Sequence, residues 1–334
     1  MLFKVMNLYD VTLRDGNHAL RHQLSTDFVI DYCKAVDNSG VWAVEIGHGN
    51  GLGASSFLVG ESKFSDFELL TAARENLTKV KLAVHSIPGF STIKKNLKPA
   101  IGCGVDVFRV ATHVTEATVS QKHIEFLAEN NQTVHGVLMM SHMADIGKLI
   151  EQVALMKSYG ASAVIMMDSA GNLIPELVID RVSKIKESLE IEVGFHAHNN
   201  LGVAVSNAKA ALDAGATIID GASMGLGAGA GNAQLENIVA NLKLSNTTEL
   251  DVSNFLSMSQ LVETRHPESL PRTTSSSIRS GMAGVFSGYA PQVHRASEEF
   301  GIEANVIWEE LGKRKLVAGQ ESMVREIAQD LMNL

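Results

Sequence analysis

The sequence predicts a closed (β/α)8 barrel followed by a small helical C-terminal domain, and three observations predict it. Short β-branched runs alternate with amphipathic stretches at a spacing of roughly 25 to 35 residues, the rhythm of βα units. One phrase, a glycine at a helix end followed by a mostly apolar run, recurs at SGVWAVEIG from Ser39, CGVDVFRVA from Cys103, YGASAVIMMD from Tyr159 and AGATIIDGA from Ala214. Together with NLYDVTLRD, KVKLAVHS, QTVHGVLMM and IEVGFHAH these runs give eight strands, each followed by a helical stretch, before about residue 245. Eight parallel βα units of that length suit a closed barrel better than an open doubly wound sheet.

Taken in order, the strands end on Arg14/Asp15, Glu45/His48, His85, Arg109/His113, Met140/His142, Asp168/Ser169, His196/His198 and Asp220. In a barrel these ends face the βα loops where chemistry is done. Gly16 after Asp15 permits an immediate turn that aims Arg14 and Asp15 at the mouth. GLGAGAG, Gly225 to Gly231, follows the last strand and precedes a helix from Asn232; its amides could receive an anion, and close packing explains the glycines equally well. The methionines of LMMSHM and VIMMD read as barrel filling. After NLKLSNTTELDVSNF the strand signal stops. Residues 1–261 therefore form the barrel and 262–334 the helical domain, with TTSSSIRSGMAGVFSGYAP as a Gly/Ser-rich connection.

Composition excludes several classes of function. The chain has 334 residues and a net charge of −9 with no Lys/Arg block, which argues against a nucleic-acid footprint or an anionic membrane surface. Its two cysteines, Cys33 and Cys103, stand in no paired spacing, so neither a disulfide framework nor a thiolate zinc site is expected, and a reducing cytoplasm is the simplest home. The apolar run at the N-terminus is too short for a signal peptide, and no stretch reaches the ~20 residues of a membrane span. No lysine sits at a strand C-terminal end, which disfavours Schiff-base chemistry.

The sharpest chemical signal is GFHAHNN. On an extended strand residues two apart share a face, so His196 and His198 look into the mouth together and can converge on one cation. Asp15 is the carboxylate available to complete the set. One carboxylate and two imidazoles with open positions suit Mn2+, Co2+, Zn2+ or Mg2+ carrying an oxygen-rich substrate. The competing readings are a hydrogen-bonded pair of core histidines and a solvated Arg14–Asp15 surface pair.

DVTLRDGNHALRHQ, RVATHVTEATVSQKHIEF, MMSHM, GFHAHNNLGVAVSNA, GLGAGAGNAQLE and VAGQESM resemble the metal-dependent 4-hydroxy-2-oxovalerate aldolases, within the wider group of 3-hydroxy-3-methylglutaryl-CoA lyase and isopropylmalate synthase. The similarity runs from about residue 8 to the end. It implies a barrel with a helical C-terminal domain, a manganese-type divalent ion, an acylating acetaldehyde dehydrogenase partner and thus an assembly of more than one chain. It implies Asp15, His196 and His198 as metal ligands, Arg14 as the clamp on the pyruvate enolate oxygen, His18 as the proton carrier at the substrate's 4-hydroxyl, and Ser169 on the substrate carboxylate.

Two departures bear on the aldehyde. Where the family usually reads GVYSS, this chain reads GVFSG, giving Phe286 with Tyr289 three residues on, so the phenol is lost or relocated to Tyr289. Where the family has LLLPG, this chain has VHSIPG, placing His85 and Ser86 against the aldehyde and favouring a more polar one. Rival readings are a Claisen-type acyltransferase using acetyl-CoA, against which His18 argues, and a non-catalytic barrel, against which the intact Arg14, Asp15, His196 and His198 argue.

Overall fold

Eight parallel strands pair in sequence order and close on themselves, β1 (Asn7–Asp10), β2 (Ala43–Glu45), β3 (Lys81–Ser86), β4 (Val107–His113), β5 (Thr133–Met139), β6 (Ala163–Asp168), β7 (Glu192–Ala197) and β8 (Ile218–Gly221), with β1 bonded to both β2 and β8. The computed structural model describes residues 6–316, 320 and 322–333; residues 1–5 of the opening segment, and residues 317–319 and 321 of VAGQESM, lie outside the described residues. All eight segments read as strands form strands, and the fold is a (β/α)8 barrel with additional C-terminal helices.

The surrounding layer comprises α1 (Thr26–Val36), α2 (Asp66–Arg74), α3 (Lys98–Gly102), α4 (Gln121–Glu129), α5 (Ile146–Ser158), α6 (Pro175–Ser188), α7 (Ala204–Asp213) and α8 (Leu235–Leu244). The recurrent glycine has a backbone cause. Gly40, Gly104, Gly160 and Gly215 all take positive φ, between 76° and 112°, reversing the chain after a helix where a side chain would be strained. Inside the barrel, Tyr9, Ala43, Ala83, Val107, Ala111, Val137, Ala163, Ile165, Met167 and Ile218 form one buried cluster. By the two-residue period, Glu45, His85, Arg109, His196 and Asp220 share the inward parity of that cluster. Four alanines in the layer leave volume for these large polar side chains.

Two expectations about extent are corrected. β1 stops at Asp10 rather than running to Asp15, because the Asp10 carboxylate accepts the Thr12 amide at 2.8 Å and the Val11 carbonyl accepts the amides of Arg14, Asp15 and Gly16. The helix after GLGAGAG begins at Leu235, not Asn232, since the Ala233 amide is still bonded to the Ala197 carbonyl and Asn232 bridges to His198. Helix α9 (Val252–Arg265) spans position 261, packs on α1 and α8, and buries Val262 in the barrel's outer core.

A second core follows, built by α10 (Ser275–Ala283), α11 (Ala290–Phe300), α12 (Ala304–Lys313) and α13 (Met323–Met332) around Val285, Val293, Ile307, Trp308, Leu311 and Ile327. The Gly/Ser-rich stretch is α10 rather than a connection. Thr274 and Ser277 form a reciprocal cap at its start and Gly284 in the left-handed region ends it. Its small residues serve close packing, since a Cβ on Gly281 would lie 2.8 Å from Asn200 Cβ. Among the described residues, no helix is long and apolar enough to cross a membrane.

Candidate active site and metal centre

Asp15 enters the mouth from a single helical turn, Asp15–His18, that follows β1. Gly16 is required there for space rather than for backbone freedom: its φ is not positive, and a Cβ would stand 2.9 Å from Leu226 Cδ2. His196 lies in β7 and His198 immediately after it, so the two rings face the same way as the strand period dictates. The Nε2 atoms of His196 and His198 are 3.4 Å apart, and Asp15 Oδ2 stands 3.8 Å from the first and 4.0 Å from the second. All three residues are buried.

The donor chemistry fits a divalent ion. Bonds from such an ion to imidazole nitrogen and carboxylate oxygen are about 2.1 Å, so two of them span at most about 4.2 Å and all three separations fit around one cation. Asp220 Oδ2 lies 2.9 Å from His196 Nδ1, and a carboxylate there accepts the ring proton, leaving the Nε2 lone pair toward the ion. Burial pushes the His198 pKa down to about 4, so that ring is neutral at pH 7. Burial alone would raise the pKa of Asp15, but Arg14 and the neighbouring histidines outweigh it and hold the carboxyl well below the usual range. Its other oxygen, Oδ1, accepts from Asn232 Nδ2 at 3.2 Å and from the Ala228 amide at 3.4 Å. The glycine-rich loop thus meets an anion of the chain itself, and a Cβ on Gly227 would lie 3.0 Å from that same oxygen.

Arg14 is clamped on three sides. Its Nε donates to Glu45 Oε2 at 2.7 Å, and NH1 donates to Asp15 Oδ2 at 2.7 Å and to the Gly49 carbonyl at 3.2 Å, while NH2 is buried with no protein partner. One guanidinium arm therefore remains for a ligand. His18 is half-buried against Gly49, where a Cβ would approach its ring to 2.6 Å, and stands edge-on to His22, which in turn stacks on His48 with centroids 3.6 Å apart. Burial lowers the His18 pKa below its ordinary value. Ser169, at the end of β6, accepts the Met140 amide at 3.0 Å, and Met140 itself takes the left-handed conformation with φ 53°.

The structure separates the two candidates from the C-terminal segment. The Phe286 ring stands 6.4 Å from the rings of both His18 and His198, over the mouth. Tyr289 is buried and belongs to the C-terminal core with Val285 and Val293. His85 is buried with Nδ1 3.5 Å from Glu45 Oε1, and Ser86 Oγ is bonded to Ser91 Oγ at 2.6 Å, so the expected polar wall is partly satisfied from within the protein. Sequence reasoning named Glu45, Arg109 and Asp220 as strand ends without a role, and it did not single out Asn232 or Leu226. Little local marks these, since Glu45 meets Arg14 across 31 positions, Arg109 meets Asp220 across 111 and Asn232 meets Asp15 across 217.

Fold and site define the class: a (β/α)8 protein with a carboxylate and two imidazoles of metal-ligating type at the C-terminal mouth. The family model for HMGL-like proteins matches residues 5–262, and that for the DmpG-like communication domain matches residues 271–333. The chain is 48% identical to a 4-hydroxy-2-oxovalerate aldolase of Pectobacterium atrosepticum, covering 98% of this chain and 96% of the relative, and 49% identical to one of Spirochaeta aurantia, covering 96% and 95%. The chain belongs to the HMGL-like family and, within it, to the 4-hydroxy-2-oxovalerate aldolases. Among solved structures, the carboxyl transferase domain of Rhizobium etli pyruvate carboxylase shares the fold with a TM-score of 0.83 at 18% identity, covering 99% of this chain and 60% of that one. The N-terminal domain of a putative aldolase from Bacteroides vulgatus shares it with a TM-score of 0.77 at 22% identity, covering 89% and 98%.

Proposed function

We propose that this chain cleaves a 4-hydroxy-2-oxo acid such as 4-hydroxy-2-oxovalerate to pyruvate and an aldehyde, using a divalent ion held by Asp15, His196 and His198. The convergence of those three donors beside the unpartnered NH2 of Arg14 carries the reading. Manganese is the ion the family resemblance favours, and the donor set also suits Co2+, Mg2+ or Zn2+. When bound, such an ion supplies Lewis-acid polarisation of the 2-oxo acid's oxygens.

The chain's own residues then divide the work. Ser169 holds the substrate carboxylate. A ring nitrogen of His18, neutral because burial disfavours its charged form, takes the proton of the 4-hydroxyl. As the O–H pair becomes the aldehyde C=O, the C3–C4 bond breaks and its electrons pass to the C2–C3 enolate, whose oxygen Arg14 NH2 stabilises by a charge-assisted hydrogen bond. Return of that proton from the His18 imidazolium to C3, directly or through water, yields pyruvate and restores the neutral ring. Phe286 and His85 bound the aldehyde end, and the imidazole of His85, with Phe286 standing where the family has a tyrosine, favours a second reading, in which the aldehyde carries its own hydroxyl or carboxylate. The communication-domain match supports an acylating acetaldehyde dehydrogenase as partner, and hence a hetero-oligomer. Two unpaired cysteines are compatible with work in the cytoplasm.

Pyruvate release from 4-hydroxy-2-oxovalerate, measured after chelation and again after Mn2+ or Co2+ is returned, tests the reading. Loss and recovery are expected; full turnover by protein verified to be metal-free would reject it. Aldol addition of pyruvate to acetaldehyde, propionaldehyde, glycolaldehyde and glyoxylate ranks the aldehydes, and an undiminished preference for the apolar pair would reject the polar variant.

A further inference from the structure

A line of buried charge crosses the barrel beneath the mouth. Arg109, on β4 and fully buried, donates through NH2 to Asp220 Oδ2 at 2.6 Å, and that same oxygen faces His196 Nδ1 at 2.9 Å. On the other side, Arg109 NH1 stands 3.6 Å from Glu45 Oε2, the oxygen that accepts from Arg14 Nε at 2.7 Å. The Tyr9 ring lies under the guanidinium, 4.7 Å from its carbon, and fixes the plane of the fork. One cation thus touches two carboxylates, and each carboxylate holds a different working residue.

We propose that Arg109 is a positioning residue that couples the metal ligand His196, through Asp220, to the clamp Arg14, through Glu45. A planar fork can address two carboxylates at once, whereas an ammonium is a single point. Neutralising Asp220 should loosen His196, and neutralising Glu45 should free Arg14 to swing. A merely charge-balancing Arg109 would lower stability on removal without splitting its effects between metal and turnover. The proposal rests on the functional reading above, so its test includes metal binding by the resting protein, which needs no reaction.

The measurements are Mn2+ titration of the metal-free full-length chain followed by electron paramagnetic resonance, kcat for pyruvate release at saturating Mn2+, and a thermal melt of each variant. Asp220→Asn should weaken Mn2+ binding about tenfold or more, within the usual reach of a residue that orients a ligand, with a smaller loss of kcat. Glu45→Gln should leave Mn2+ affinity unchanged and lower kcat about tenfold or more, as loss of a transition-state contact does. Arg109→Lys should show both defects, and adding Asp220→Asn to it should cost less than the separate effects predict. Where Arg109→Lys does not fold, the charge-balanced pair Arg109→Gln with Asp220→Asn replaces it and should lower kcat beyond Asp220→Asn alone. A folded Arg109→Lys with native Mn2+ affinity and kcat, or a pair no slower than Asp220→Asn, overturns the coupling. A wild-type chain that binds no Mn2+ overturns the functional reading instead.

Discussion

At Arg14 the geometry leaves little room for a substitute. Its Nε and NH1 are spent on Glu45, Asp15 and Gly49, and NH2 alone is left without a hydrogen-bond partner in the protein. Lysine has no fork to divide between those duties, so Arg14→Lys is expected to lower kcat by about two to three orders of magnitude, the scale of losing a preorganised donor to a developing oxyanion. Metal content, read by elemental analysis, should stay the same; turnover close to the native value would take Arg14 out of the mechanism. How legible such residues were depended on whether their partners are local. His196 and His198 were readable because the two-residue period of a strand alone aligns them. Gly16 was readable as a constraint but not as its cause, since Leu226, 210 positions later, supplies the clash. Glu45, Arg109 and Asp220 could be listed from the ends of strands, but their wiring depends on which side chains meet across the barrel's interior, and that follows from closure rather than from any one strand.

At the scale of elements, regular pattern marked the strands and dense packing disguised the helices. The buried strands are runs of apolar residues bounded by left-handed glycines, a signal that survives in one dimension. Helix α10 carries Gly and Ser because it lies close to the loops of the barrel, and composition of that kind reads as a loop until its neighbours are known. Three side chains from successive loops hold it there. His142 lies 3.0 Å from the Gly284 carbonyl, Asn172 donates to the Gly281 carbonyl at 2.7 Å, and Asn200 donates to the Ser277 carbonyl at 3.0 Å and to the hydroxyls of Ser280 and Ser287. Asn200→Ala should therefore leave buried acceptors unpaired and cost about 1 to 3 kcal/mol of stability, measured by denaturant unfolding. A cost near zero would mean that α10 is held by its apolar contacts alone.

For the whole molecule, buried imidazoles set the response to acid. Histidines titrate near 6.5 in an unfolded chain. Burial is the leading cause that holds His22 and His135 down to about 3 and His48, His85 and His142 to about 4. As pH falls from about 6.5 toward 4 the unfolded chain binds protons that the folded chain refuses, so stability is lost. Asp10 and Asp168, pushed up to about 6 by burial, act in the opposite sense, because the folded chain protonates them first. Five imidazoles with larger displacements outweigh two carboxylates. The melting temperature of the metal-free protein is thus expected to fall steadily from pH 7 to pH 5, followed by circular dichroism; a flat or rising profile would contradict the buried, neutral state of these rings.

Phe286 belongs to the second core's segment of chain but stands over His18 and His198 of the first. The reaction chamber is consequently divided between two stretches of the gene, walls in one and ceiling in the other. A chimera that takes everything after residue 265 from a relative would import that relative's ceiling ring along with its helices. Recombination at this junction would trade the chamber's shape and the outer helical surface as a single heritable unit, whereas point substitution at position 286 would change the first and leave the second as it was.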